Sequence, residues 1–242
     1  KGVKAISDLS FSVRRGEICA LIGPNGAGKS SLLNILNGVY RADAGQLFFA
    51  TEPLRRPHPL QAARLGIGRT FQNNALFKKM SVLDNLLTGL SRFQRSFFLE
   101  QALGLPRARR EARAFAERAE QVLEFLELQP WRDVAVGSLA YGLQKRVELG
   151  RALIAQPTLL LLDEPMAGMN AEEKQDMSRF IADINRDLGT TVILIEHDIH
   201  VVMGLSSHVV VLDYGRKVGD GTPAEVQANP DVIAAYLGAP HG

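Results

Sequence analysis

The 242-residue sequence has one cysteine and one tryptophan. A lone cysteine excludes an internal disulfide and suits a reducing compartment. Cys19 lies in the apolar run "EICALIG", where a buried thiol packing as a small hydrophobe is expected. Long hydrophobic runs are missing too. Runs such as "LLLL" and "TVILI" are strand-sized and fall well short of the roughly 20 residues a membrane span needs. Neither sign of charge dominates. Lys and Arg number 28 against 26 Asp and Glu, a net +2, which gives no electrostatic case for a nucleic-acid partner. Internal repeats and low-complexity linkers are also absent. The opening "KGVKAISDLSFSV" reads as strand rather than leader, so the chain is expected to begin inside a longer sequence.

What is present is ordinary in bulk and specific in detail. The chain is 46% hydrophobic and 22% charged, the proportions of a globular domain long enough for one core with a subdomain. Residues 5–22 alternate and then turn fully apolar around "RRGE", predicting two strands. A helix is predicted from Lys29 to Leu36. "GQLFFA" reads as a strand, "LQAARLG" as a short helix, and "IGRTFQ" as a strand running into a loop. From about Val82 to Gln129 apolar residues recur every three or four positions, as in "AFAERAEQVLEFLEL", which predicts helices. Glutamates interleave the arginines of "RARREARAFAER", so this stretch reads as a solvated helix face. "LLLLD", "TTVILIEHD" and "HVVVLD" then predict buried strands, with a helix from Ala171 to Leu188. Strands alternating with helices predict an α/β fold with a mainly parallel sheet. The expected organisation is one domain over 1–242. Its α/β core comprises 1–84 and 151–242, and a helical insertion occupies 85–150.

"GPNGAGKS" fits G-x-x-x-x-G-K-[ST] through Gly23, Gly28, Lys29 and Ser30, with a strand before it and a helix after it. Glycines let backbone wrap an oxyanion and turn N–H groups inward, and the helix N-terminus adds partial positive charge. Lys29 is placed to reach the β- and γ-phosphates, and the Ser30 hydroxyl to ligate Mg²⁺. A dinucleotide loop is the rival, but it does not end in Gly-Lys-Ser. The loop alone does not separate a hydrolase from a kinase or a GTPase.

A second group of polar residues follows apolar strands. "LLLLDEP" ends in Asp163 and Glu164. A carboxylate at a core-strand tip is costly unless it meets a cation. Asp163 is a candidate for Mg²⁺, and Glu164 for the general base that polarises water. His197 follows "ILIE", and Gln72 follows "IGRTF". A parallel sheet brings such strand ends to one edge, so His197 is a candidate contact for the γ-phosphate or the attacking water. The Gln72 amide is a candidate for ligating Mg²⁺ or orienting water.

In this order and spacing, these segments resemble the ATP-binding cassette (ABC) ATPases over essentially the whole chain. "GPNGAGKSS" looks like Walker A, Gln72 like the Q-loop, "LLLLDE" like Walker B, "AGMN" (167–170) like the D-loop, and His197 like the switch histidine. "SLAYGLQKRVELGRAL" matches the signature segment. The resemblance implies a P-loop NTPase fold with N-terminal antiparallel strands and an inserted helical subdomain. It implies that Gly23, Pro24, Asn25, Gly26, Ala27, Gly28, Lys29, Ser30 and Ser31 hold ATP. Ala140, Tyr141 and Gly142 would meet the γ-phosphate of a second cassette, and Glu164, His197, Gln72 and Lys29 would serve hydrolysis. Ser30, Gln72 and Asp163 would hold Mg²⁺.

Implied partners are integral membrane permease subunits, a second cassette (a paralogue by preference), and indirectly a periplasmic or extracellular substrate-binding protein. The implied location is peripheral, on the cytoplasmic face of the cell membrane. "LAYG", "AGMN", "ILIEHD" and "GTPAEVQANPDVIAAYLG" resemble, within the family, the importers of branched-chain and other hydrophobic amino acids. Urea or amide importers and a lipopolysaccharide exporter are near alternatives. ABC ATPases acting on DNA or ribosomes are a further one, disfavoured by the absence of a long coiled coil or a second cassette.

Three features depart from the family pattern. Ala140 and Leu143 stand in the signature where serine and glutamine are usual. Asn170 stands where the D-loop usually has aspartate. The aromatic on which the family stacks adenine falls, by spacing, just before Lys1.

Overall fold

The structure is a computed structural model, described here for residues 5–54, 58–70 and 76–234. Eight strands lie among these residues: β1 (Ile18–Ile22), β2 (Phe48–Phe49), β3 (Glu52–Pro53), β4 (Ile67–Arg69), β5 (Leu159–Asp163), β6 (Thr191–Ile195), β7 (His208–Asp213) and β8 (Arg216–Gly221). Six of them form one sheet in the order β4-β5-β6-β1-β7-β8. All pairings in it are parallel except β7 with β8.

Helices fill the intervals. They are α1 (Lys29–Leu36), α2 (Pro59–Arg64), α3 (Val82–Thr88), α4 (Phe98–Ala102), α5 (Pro106–Phe125), α6 (Tyr141–Leu153), α7 (Ala171–Leu188), α8 (Ile199–Leu205), α9 (Pro223–Ala228) and α10 (Pro230–Val232). Sequence chemistry sets their ends. Asn170 caps α7, accepting from Glu173 N at 2.9 Å while Asn170 N donates to the Glu173 carboxylate at 3.0 Å. This is a reciprocal capping box. Gly189, at φ 65°, stops the helix in the left-handed region. Met177, Phe180, Ile181 and Ile184 point inward at the helical three-to-four spacing.

The central strands are apolar on both faces, as a covered parallel sheet requires. Within β1, Cys19 and Leu21 join one buried cluster with Leu32, Leu33 and Leu36 of α1. Ala20 and Ile22 face the other way, onto Val209, Val211 and Val226. The largest cluster joins Leu86 of α3, Leu123 of α5, Leu149 of α6, Leu162 of β5 and Phe180 of α7. The helical insertion therefore shares its apolar packing with one face of the sheet.

The chain start differs from expectation. Residues 5–14 form no strand. Asp8 turns the run into the left-handed region at φ 55°, and Ser7 N donates to Gly215 O at 2.8 Å. The alternation survives as one-sided packing, with Ile6, Leu9, Phe11 and Val13 resting on the β1–α1 cluster. A separate antiparallel pair, β2–β3, lies beyond α1.

Register brings the polar strand ends to one level. Leu21 of β1 lies beside Ile195 of β6, and Ile195 lies beside Asp163 of β5. Arg69 of β4 lies beside Leu161. Residues just beyond these positions therefore share one edge of the sheet.

Candidate functional site

The loop leaving β1 is shaped by its glycines. Gly23, Gly26 and Gly28 take φ values of 146°, 82° and 97°, a region that suits glycine. A Cβ on Gly23 would stand 2.0 Å from the carbonyl oxygen of Leu212, and one on Gly28 would stand 2.5 Å from that of Ala5. Ala27 N closes a turn onto Pro24 O at 3.2 Å, and the Ala27 carbonyl accepts from Gly215 N at 3.0 Å. Gly28 then opens α1, with Lys29, Ser30 and Ser31 in its first turn. Asn25 and Gly26 are exposed at the crest. Lys29 folds back, its Nζ donating to Gly23 O at 2.7 Å and Pro24 O at 3.0 Å. Burial pushes its ammonium below the ordinary lysine range, and Glu164 and Asp163 pull it back up. An ammonium held this way by two carbonyls stands ready for a stronger acceptor, such as phosphate oxygens.

Asp163 and Glu164 lie beside this loop. Ser30 Oγ donates to Asp163 Oδ1 at 3.4 Å. Asp163 is 2% exposed. Burial raises its carboxyl above the usual range, opposed first by Arg69. A hydroxyl beside a carboxylate is a hard oxygen donor set that suits Mg²⁺, which keeps most of its ligands as phosphate oxygens and water. Among the described residues no group of three or more His, Cys, Asp or Glu is placed to hold a metal.

Glu164 occupies a left-handed turn position, φ 51°. Such strain in a non-glycine residue marks a position fixed by its surroundings. Its Oε1 lies 2.9 Å from His197 Nε2, so the structure brings together two residues 33 positions apart in sequence. Gln72 lies outside the described residues.

Two further side chains at this edge carry no motif. Arg69 Nη2 pairs with Asp163 Oδ2 at 3.1 Å, the two side chains being 6% and 2% exposed, and Arg69 Nη1 donates to Asn34 Oδ1 at 2.6 Å. A cation thus sits on the Asp163 carboxylate from the strand next door. We expect Arg69→Met to leave that carboxylate buried without its partner and to cost about 3 kcal/mol. That cost corresponds to roughly 6–12 °C in melting temperature for a chain of this size. An unshifted thermal melt would show that the pair contributes nothing.

Glu196 is the second. Its carboxylate is 4% exposed and accepts from Met166 N at 2.9 Å and His197 N at 3.2 Å. It thereby ties the loop after Glu164 to the loop carrying His197. Burial raises this carboxyl, and the two N–H groups lower it in turn. Glu196→Gln turns one acceptor oxygen into a donor facing a backbone N–H. The expected result is a loss of about 1–2 kcal/mol in stability and a lower kcat with unchanged ATP affinity. Equal kcat in mutant and parent would remove Glu196 from any positioning role. The sequence signal for both residues was faint: a polar residue ending an apolar strand beside a strand that ends in a motif.

The signature residues lie elsewhere, at the head of α6, which Ala140 caps. The space a Cβ on Gly142 would take is bounded by Glu173 Oε1 at 2.4 Å, and that on Gly168 by the Tyr141 ring at 3.3 Å. Tyr141 therefore packs against the loop carrying Gly168, and Gly142 against Glu173 at the start of α7. Leu143, where the family has glutamine, packs on the main hydrophobic cluster. Asn170 performs the capping that aspartate would.

The family model described as ABC transporter matches residues 6–167. The chain belongs to the ABC transporter family. It is accordingly an ABC ATPase, and nucleotide is its ligand. A second model, described as a branched-chain amino acid ATP-binding cassette transporter, matches residues 216–242 of the cassette.

Among curated proteins, the cassette is 39% identical over 237 residues to the high-affinity branched-chain amino acid transport ATP-binding protein BraF of Pseudomonas aeruginosa, covering 98% of this chain and 93% of that one. It is equally similar, with the same coverage, to LivG of Salmonella typhimurium, which has the same descriptive name. Identity to a probable LivG of Methanocaldococcus jannaschii is 33%, with 97% and 92% covered. Among solved structures, an ATP-binding cassette of an ABC transporter in its ADP conformation superposes with a TM-score of 0.82 at 31% identity, over 97% of this chain and 93% of that one. A nucleotide-free ABC transporter cassette superposes at 0.83, with the same identity and coverage.

Proposed function

We propose that the cassette is the ATP-hydrolysing subunit of an importer for branched-chain amino acids. Near-full-length similarity to cassettes of that transport class carries the reading, and the match over the last 27 residues, 216–242, supports it. The phosphates of ATP lie on the backbone of Gly23 to Gly28, with Lys29 leaving its carbonyl partners to meet them. Ser30 and Ser31 begin the helix whose N-terminus faces the same anions. Mg²⁺, held by Ser30, Gln72 and Asp163, would neutralise charge on the phosphates. Glu164 takes the proton of the attacking water, and His197, in contact with it, positions the pair. Ala140, Tyr141 and Gly142 at the head of α6 present their backbone to the nucleotide on a second cassette.

The cassette works peripherally beneath membrane permease subunits. No described helix is long and apolar enough to cross a membrane. A groove of about 520 Å³ is lined by Arg69, Phe77, Thr88 and Arg151 and offers a seat for a permease segment. The α/β core over 1–84 and 151–242, with the helical part over 85–150, forms one working unit.

The test is transport in proteoliposomes holding this cassette, its permease subunits and partner cassette, with the binding protein added outside. ATP-dependent leucine uptake that is lost with Glu164→Gln supports the reading. Uptake of urea or an amide instead of leucine would overturn the substrate and keep the ATPase.

A further inference from the structure

The segment between α3 and α5 does not hide its hydrophobic residues. Phe97, Phe98, Leu99 and Leu103 are 73%, 82%, 70% and 71% exposed, and they cluster on and around the five-residue helix α4. Isolated exposed apolar residues need no explanation, but a contiguous patch of large ones marks a contact surface.

The segment is held by polar contacts rather than by burial of these side chains. The Glu111 carboxylate, on α5, accepts from Arg95 N at 2.7 Å and Ser96 N at 3.0 Å. It also accepts from the Ser96 hydroxyl. Glu100 accepts from Phe97 N at 2.7 Å, and Arg107 Nη2 donates to Arg95 O at 3.0 Å. The backbone is thereby fixed with its aromatic and leucine side chains facing out. Folding gains nothing from those side chains in that position, so the gain must come from a contact.

Charge says what kind of contact. Residues 92–113 contain six arginines (Arg92, Arg95, Arg107, Arg109, Arg110, Arg113) against two glutamates, Glu100 and Glu111, a net +4 within a chain whose net is +2. The rest of the chain therefore sums to −2. Glu111 is committed to backbone N–H groups, and Glu100 accepts from Phe97 N while its other oxygen pairs with Arg107 at 3.7 Å. Arg92 lies over the Phe93 ring, 4.4 Å from its centroid, and the Arg109 guanidinium lies against Gly104. The patch is thus a projecting apolar tip with an arginine collar. Phenylalanine and leucine beside arginine is the composition that seats a segment at the acyl–headgroup boundary of an anionic leaflet.

We propose that residues 93–105 form a lipid-contacting foot. Phe97, Phe98, Leu99 and Leu103 enter the interface of an anionic bilayer, and the surrounding arginines meet its phosphates. The foot adds a membrane contact of the cassette's own to whatever permease subunits provide, and it is independent of the solute transported.

The test is co-sedimentation of the full chain with large vesicles of phosphatidylcholine alone or mixed with about a third phosphatidylglycerol. Binding to the mixed vesicles, weakened by salt and at least about tenfold weaker for the Phe97→Ser/Phe98→Ser double variant, supports the foot. Arg109→Ala/Arg110→Ala should lower binding to the mixed vesicles alone. These residues are exposed, so unchanged melting and ATP affinity in the variants certify their fold. A chain that stays in the supernatant with both vesicle types overturns the proposal. So does a double variant that binds as well as its parent. If the double variant instead loses retention by detergent-solubilised permease subunits while neither chain binds vesicles, the patch is a protein interface.

Discussion

Glu164→Gln is expected to bind ATP with parental affinity and to lose steady-state hydrolysis by at least about a hundredfold. The substitution keeps the shape of the side chain. It also keeps an oxygen able to stay in contact with His197 Nε2, which lies 2.9 Å from the carboxylate. What it removes is the basicity that receives a proton from water. Because Glu164 sits on a strained turn after β5 rather than in the phosphate loop, the bed formed by Gly23 to Gly28 is untouched. Two measurements separate the effects: a nucleotide-binding isotherm and a phosphate-release rate on the same preparation. Hydrolysis at the parental rate would take the base role from Glu164. Weakened binding with normal kcat would place the residue in nucleotide contact instead.

Lys29→Ala should give the complementary result, with ATP affinity falling by about a hundredfold or more. A charge-assisted contact to phosphate is worth roughly twice a neutral one, and Lys29 is the only lysine or arginine in the described loop. Its removal should cost little fold stability. The ammonium is desolvated, its folded-state affinity for protons being lowered by burial. Of its two carbonyl partners, Pro24 O is only part-buried, next to the exposed Asn25 and Gly26. Melting close to the parental temperature together with lost nucleotide binding is the expected pair of readings. Full ATP affinity in the variant would mean that backbone N–H groups alone hold the phosphates.

The contrast between legible and hidden features follows from how each is encoded. α1 and α7 were legible to the residue, because the Gly-Lys-Ser opening, the Asn170 cap and the Gly189 stop are local chemistry. The strands "LLLLD", "TVILI" and "HVVVLD" were legible because both faces are covered and the whole run must be apolar. Residues 5–14 misled because alternation reports which face is buried, whereas a strand also needs a partner to pair with. Glu164 and His197 were each visible beside their strands, but their contact depends on β5 and β6 being neighbours in the sheet. Arg69 and Glu196 stayed hidden because nothing local distinguishes a polar residue that meets solvent from one that meets a carboxylate or a backbone N–H across the sheet. The exposure of Phe97 and Phe98 was unreadable as well, since helical periodicity assigns such residues to the core by default.

The burial of Cys19 at the middle of the sheet has a practical consequence. β1 is flanked by β6 and β7, and the thiol is 0% exposed, its proton held more tightly than usual by burial. An alkylating reagent can reach it only when the central strand comes out, and such opening belongs to the least frequent excursions of a folded chain. The rate of Cys19 modification is therefore a built-in gauge of global unfolding. Nucleotide that binds only the folded state must slow that rate in proportion to its occupancy, so ligand affinity can be read from a thiol lying beneath the site, without any label on the surface.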